Sequence, residues 1–268
     1  MSDWSGRMSA GCVTAYTEGL TAQFTLIMLP QGEIDTVANR TGSPDAKNVE
    51  SHSMTLDSWF YGGALLVAWL SYFAAHSLLA SLWVKRRVAS RWPEFTRAYR
   101  LAFNVSAIVL LLPIVWLSTV QPWPILWQWH GIGHWIADGL KAFALLGFIW
   151  SLKYYDLQEF VGLRQWRRHL TAPEDQECLR LSPLHRFVRH PWYFFAMVLI
   201  WTQDMDVGKC LSGVMVTLYF TVGSRLEEKK LLVYHGERYR RYMEQVPGLF
   251  PSPWKFLRSE EAERLGDV

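Results

Sequence analysis

Between Trp59 and Val84 the chain carries no Asp, Glu, Lys or Arg, a run longer than the roughly 20 apolar residues that cross a bilayer. A segment of that kind must satisfy its backbone hydrogen bonds internally, so it is predicted to be a membrane helix. His76 and Ser77 lie in its second half. An ionisable group at that depth is a functional suspect, and its plainer reading is a histidine hydrogen-bonded between helices.

The charges that follow orient the chain. Lys85, Arg86, Arg87, Arg91, Arg97 and Arg100 stand against Glu94 alone, which makes this loop cytoplasmic by the positive-inside rule. Leu101 to Val120 is then an outward span that tolerates Pro113. Gln121 to Trp135 contains Trp123, Trp127, Trp129, His130 and Trp135, the residue types of an aromatic belt at the outer surface. A third span runs from about Ile136 to Tyr155, with Lys141 and Lys153 reaching to the two surfaces. It delivers Asp156, Arg164 and further charges to the inner side.

Two short apolar runs, 192–203 and 210–224, flank a polar tip at Asp204, Asp206 and Lys209. They predict a helical hairpin whose two ends, Arg189-His190-Pro191-Trp192-Tyr193 and Glu227-Glu228, meet on one side. Pro191 fits a first helical turn and biases His190 away from helical geometry, so a helix is expected to begin at Pro191. Its N-terminus suits an anion. Beyond Glu228, Tyr239, Tyr242 and Val246 share the face of an amphipathic cytoplasmic helix that Gly236 interrupts.

Arg189-His190-Pro191-x-Tyr193, then Glu227-Glu228, Gly236-x-x-Tyr239-x-x-Tyr242 and Val246-Pro247-x-Leu249-x-Pro251 form an ordered set of blocks. In them the chain resembles the integral-membrane methyltransferases related to isoprenylcysteine carboxyl methyltransferase. That group includes phospholipid methyltransferases, methanethiol S-methyltransferases and NnrU-like proteins. His76-Ser77 and Asp156 through Gln165 are similar to the methanethiol and NnrU-like branches.

The resemblance implies S-adenosylmethionine as cofactor and methyl transfer at the membrane to a small thiol or a lipid-like or prenylcysteine acceptor. It implies Arg189 and Glu228 as catalytic residues. His190, Pro191, Tyr193, Glu227, Glu228 and Tyr239 are implied to bind the cofactor, and Arg164 or Arg186 to orient the substrate. Phe195 stands where many members carry a small residue, a departure that would narrow the cavity. Each residue also has a plain reading. Basic residues flank spans by default, and exposed carboxylates pair with neighbouring lysines at little energetic gain.

The expected whole is an all-α polytopic membrane protein of about five transmembrane segments, including the C-terminal hairpin and a cytoplasmic amphipathic C-terminal helix. Its N-terminus is outside, and its C-terminus and active site are cytoplasmic. Residues 1–57 read as a flexible extension, with Met54 a candidate start; 58–257 as the methyltransferase-like domain, with 182–251 its motif core; and 258–268 as a flexible tail. Half of the 268 residues are hydrophobic, with 15 Trp, which agrees with the membrane reading. Cys12, Cys178 and Cys210 share no metal-ligand spacing, so no metal is expected, and topology accounts for the basic residues without nucleic acid. The expected partners are membrane lipid and a small-molecule or lipid methyl acceptor. Two rival readings remain: a nicotinamide-dependent membrane reductase of related architecture, and a non-catalytic NnrU-like membrane protein.

Overall fold

The structure, a computed structural model, describes residues 56–120, 122–168, 179 and 181–265. Nearly all of the expected N-terminal extension, with Met54, lies outside the described residues. The first apolar run forms α1, Leu56–Ala80. Ser81 ends it: its hydroxyl accepts from Val84 N at 3.3 Å and caps a separate helix, α2, Leu82–Arg91, which carries the first basic cluster. A 3-10 turn, Pro93–Ala98, leads into α3, Tyr99–Thr119. The Tyr99 hydroxyl donates to Leu79 O, which sets the start of α3 beside the end of α1.

A short strand β1, Ile125–Trp127, follows, then α4, Ile132–Leu152, and two small helices, α5, Leu157–Val161, and α6, Leu163–Arg168. After a 3-10 turn at Pro183–Arg186 come α7, Pro191–Trp201, strand β2, Met205–Asp206, and α8, Val207–Gln245. The hairpin expected from the sequence is α7 and the first half of α8. Its tip holds β2, which pairs antiparallel with β1. Asp206 caps α8 by accepting from Lys209 N at 2.8 Å, and Trp129 N donates to Asp204 at 2.9 Å. Trp123 does not join an outer aromatic belt. It is 7% exposed, with its indole pressed against Gly208, where a Cβ would come within 2.7 Å.

Among the described residues, α1, α3, α4 and α8 are long and apolar enough to cross a membrane, and α7 is a shorter apolar helix. The chain is an all-α polytopic membrane protein. Leu146, Val109, Leu218 and Val222 are all more than half exposed, as side chains that face lipid are. The largest core joins Leu65, Trp69 and Tyr72 of α1 to Leu111 and Ile114 of α3, Tyr193 and Met197 of α7, and Val216 and Phe220 of α8. A second cluster, Tyr239, Tyr242, Val246, Leu257 and Ala262 with Leu179, lies under the C-terminal segment. Residues 259–265, read from the sequence as part of a tail, form α9, Ser259–Leu265, whose Ala262 belongs to this cluster.

Candidate active site

α7 begins at Pro191, as the proline requires, and His190 before it holds the non-helical φ of −123° and ψ of 72°. α8 does not stop at the end of its apolar half. It runs on through Glu227 and Glu228 and carries both carboxylates to the foot of α7. The Arg189 guanidinium Nε donates to Glu228 Oε1 at 2.8 Å, and His190 Nε2 meets the same oxygen at 3.0 Å. An ionised carboxylate only accepts, so the imidazole hydrogen of this contact sits on Nε2. Both bonds land on Oε1, and Oε2 has no donor among the described residues.

The group is buried: the side chains of Arg189, Glu228 and His190 are 12%, 9% and 3% exposed. His190 Nδ1 lies 3.5 Å from Glu227 Oε2. That is an ion-pair distance and too long for a hydrogen bond, which leaves Nδ1 without a hydrogen-bond partner. The imidazole stacks on Tyr193 with centroids 5.4 Å apart, and Tyr193 stacks on Phe220 at 4.2 Å. An aromatic column thus leads from the charged group into the helical core.

The C-terminal segment closes the group from outside. Arg189 N donates to Pro247 O at 2.9 Å and His190 N to Gly248 O at 3.1 Å. Arg189 Nη1 donates to the carbonyls of Met243 and Val246 at the end of α8. A Cβ on Gly248 would lie 3.3 Å from Arg189 Nη2, so the strap passes as close as a glycine permits. α8 can reach this point because Gly236, at φ 52° and ψ −127°, breaks its direction.

Of the residues expected at the site, Arg189, His190, Pro191, Tyr193, Glu227 and Glu228 come together. Tyr239 packs in the second cluster with its ring 5.6 Å from Tyr242, whose hydroxyl donates to His185 O at 2.8 Å. Arg186 fastens the strap: its Nε donates to Leu257 O at 3.0 Å, and Leu257 N returns a bond to Arg186 O at 2.9 Å. Arg164 pairs with Asp156 at 2.6 Å in a cavity of about 490 Å³ that Tyr155, Leu157, Gln158 and Arg167 also line. Tyr155 packs on Trp192 at 4.4 Å, which places this cavity beside the start of α7.

Phe195 turns its ring onto Gly147 and Phe143 of α4. Sequence reasoning missed Phe220, the Ser151 hydroxyl that accepts from Trp192 Nε1 at 2.7 Å, and the strap carbonyls. Backbone acceptors leave no mark in a sequence, and only the Val246-Pro247-x-Leu249 block hinted at them.

The chain is similar to methanethiol S-methyltransferase 2 of Bradyrhizobium diazoefficiens, 29% identical over 207 residues, 75% of this chain and 78% of that protein. It is 37% identical to methanethiol S-methyltransferase 1 of the same organism over 183 residues, 66% of this chain and 62% of the other. The chain is a relative of the methanethiol S-methyltransferases. A third, from Crocosphaera subtropica, is 32% identical over 143 residues, 47% of this chain and just over half, 55%, of that relative's length. No family model matches the chain, and no solved structure matches it. The kinship that the four sequence blocks implied is therefore carried by proteins named for methyl transfer to methanethiol.

Proposed function

We propose that this protein is a membrane methyltransferase that uses S-adenosylmethionine to methylate a small thiol, with its active site on the cytoplasmic side. The buried Glu228, held on one oxygen by Arg189 and His190, carries this reading, together with relatives named as methanethiol S-methyltransferases.

The residues present suit the donor. A carboxylate pair in a largely dry site needs cationic partners, and Glu228 keeps one oxygen for a further donor such as the ammonium of an amino acid. The stacked His190, Tyr193 and Phe220 offer flat apolar faces beside it. Arg189 is spent on Glu228 and on the Met243 and Val246 carbonyls, so it acts as a positioning residue that fixes the carboxylate. The positive dipole end of α7, which begins at Pro191, suits the donor's carboxylate.

When bound, the donor supplies a methyl group on a cationic sulfur. The protein's share of such a displacement is alignment and the exclusion of water. The aromatic column and the strap supply both, and no metal is needed. The basic segment 85–100 supports, by the positive-inside rule, a cytoplasmic position for the foot of α7, the carboxylates and the C-terminus.

The test is calorimetry of S-adenosylmethionine with the detergent-purified protein, alongside methyl transfer to methanethiol. Micromolar binding that Glu228→Gln and His190→Ala both weaken tenfold or more is expected. A folded wild-type protein that binds no S-adenosylmethionine would sink the reading and bring the nicotinamide-dependent and non-catalytic alternatives forward.

A further inference from the structure

α2 is set apart from the span that precedes it. Ser81 ends α1 and caps α2, and no residue of Leu82–Arg91 is buried. At 3.6 residues per turn, Trp83, Arg87 and Arg91 follow one another along one face, with Arg86 and Ser90 beside them. All five are exposed, Trp83 by 70%, whereas Leu82, Val84, Lys85, Val88 and Ala89 on the opposite side are half-buried. The helix packs against α1 and the 3-10 turn Pro93–Ala98, so it is docked on one side and bare on the other.

The bare side is basic as well as aromatic. The positive-inside rule asks only for basic residues somewhere in this loop. It does not ask that three arginines gather around a tryptophan on one exposed helix face. α2 contains no acidic residue. The arginines near the end of α8 differ in this respect, since Arg240 and Arg241 both pair with Glu237, at 3.6 and 3.8 Å.

This face also lies where the protein meets the edge of a bilayer. The bond from the Tyr99 hydroxyl to Leu79 O brings the start of α3 beside the end of α1, so both spans finish at one level. Leu78 on α1 and Val105 on α3 are 55% and 53% exposed, as side chains that face lipid are. Trp83 follows five residues after Leu78, and Trp92 and Phe95, 60% and 45% exposed, lie on the link to α3. Aromatic side chains next to the last lipid-facing aliphatic ones mark the interface. Arginines on the same face extend into the headgroup layer.

We infer that the exposed face of α2 binds anionic phospholipids of the leaflet on that side of the membrane, with Arg86, Arg87 and Arg91 on the phosphate groups and Trp83 at the hydrocarbon edge. The guanidinium fork matches phosphate oxygens in pairs. A basic cluster directly past a membrane span, here with Lys85 as its fourth member, is of the kind that attracts acidic lipid. The exposed aromatic residues favour a lipid surface over an acidic protein, because a bilayer presents hydrocarbon and phosphate side by side at this level. The assignment is independent of the methyltransferase reading.

The test is native mass spectrometry of the detergent-purified full chain, titrated with dioleoylphosphatidylglycerol or dioleoylphosphatidylcholine and read as the affinity for the first lipid bound. Wild type is expected to prefer phosphatidylglycerol by about tenfold or more. The triple variant Arg86→Gln, Arg87→Gln, Arg91→Gln should lose that preference, keep its affinity for phosphatidylcholine and keep its Tm, since the three side chains are exposed. Arg240→Gln with Arg241→Gln should bind both lipids as wild type does. Equal affinity of wild type for the two lipids, or an undiminished preference in the triple variant, overturns the proposal. So does an equal loss in the Arg240 and Arg241 variant, which would assign the preference to net charge alone. Replacing chloride by inorganic phosphate at equal ionic strength should leave lipid binding unchanged; displacement of phosphatidylglycerol by phosphate would assign the face to the free anion and overturn the lipid assignment.

Discussion

Arg189 and Glu228, 39 residues apart in sequence, are joined at 2.8 Å at the foot of α7, where both side chains are nearly dry. Removing one partner strands the other charge. Arg189→Ala is expected to cost about 3 kcal/mol of stability, read as a fall in Tm in detergent. Arg189→Met with Glu228→Leu is expected to recover most of that Tm while abolishing donor binding. A double variant that still binds S-adenosylmethionine would show that the pair serves the fold alone.

His185 sits beside the strap, where its Nδ1 meets the Ser182 hydroxyl at 2.8 Å. Burial, with the nearby His190 adding to it, lowers its pKa from 6.5 to about 3. The folded state thus holds the ring neutral while the unfolded chain binds a proton below about 6.5, so the unfolded state takes up more protons in that window. This contribution to stability is complete above pH 6.5 and declines as the pH falls toward 3. Thermal melts from pH 8 to pH 5 are expected to show a falling Tm, and His185→Gln should flatten the slope. An equal slope in both proteins would assign the acid sensitivity to other groups.

Gly236 holds a backbone conformation that side chains with a Cβ avoid, and nothing crowds the position itself. The cost of Gly236→Ala is therefore conformational, about 1–3 kcal/mol. Because the break aims Tyr239, Tyr242 and Val246 at the second cluster, limited proteolysis of the 246–257 strap should accelerate in the variant. Gly223→Ala, at helical geometry in the same helix, is expected to raise Tm slightly. Similar losses in both variants would place the defect in general helix packing.

Most of the scaffold was legible because the bilayer imposes a simple rule. Charge-free runs gave α1 and α3 to within a few residues, an apolar run that carries lysines gave α4 with its start four residues late, Pro191 gave the start of α7, and Gly236 gave the break in α8. The break at Ser81 was not legible, since a serine among apolar residues reads equally as a passenger and as a cap. The carboxylates were noticed as a puzzle, being acidic groups beyond an apolar helix. The solution combines a helix that continues with cations that arrive from another segment, and no local pattern encodes that meeting. Trp123 misled for the opposite reason: a tryptophan near a span end reads as interfacial, but the glycine that receives it, Gly208, is far away in sequence.

Phe195 and Gly147 meet closely in the seam between α4 and α7. Phe195 is 3% exposed, and a Cβ on Gly147 would come within 2.6 Å of its ring. The Phe195 side chain is thus received by a glycine on the neighbouring helix. Gly147→Ala is expected to overpack the seam at a cost of about 1–3 kcal/mol, and Phe195→Leu alone to leave a cavity. Together they return volume to the seam, so the double variant should melt above Gly147→Ala alone. A double-variant loss equal to the sum of the two single losses would show that the residues do not share the seam as the geometry has it. Donor affinity should be nearly unchanged throughout the series, since the ring is committed to α4; a change of tenfold or more would return Phe195 to the cavity wall.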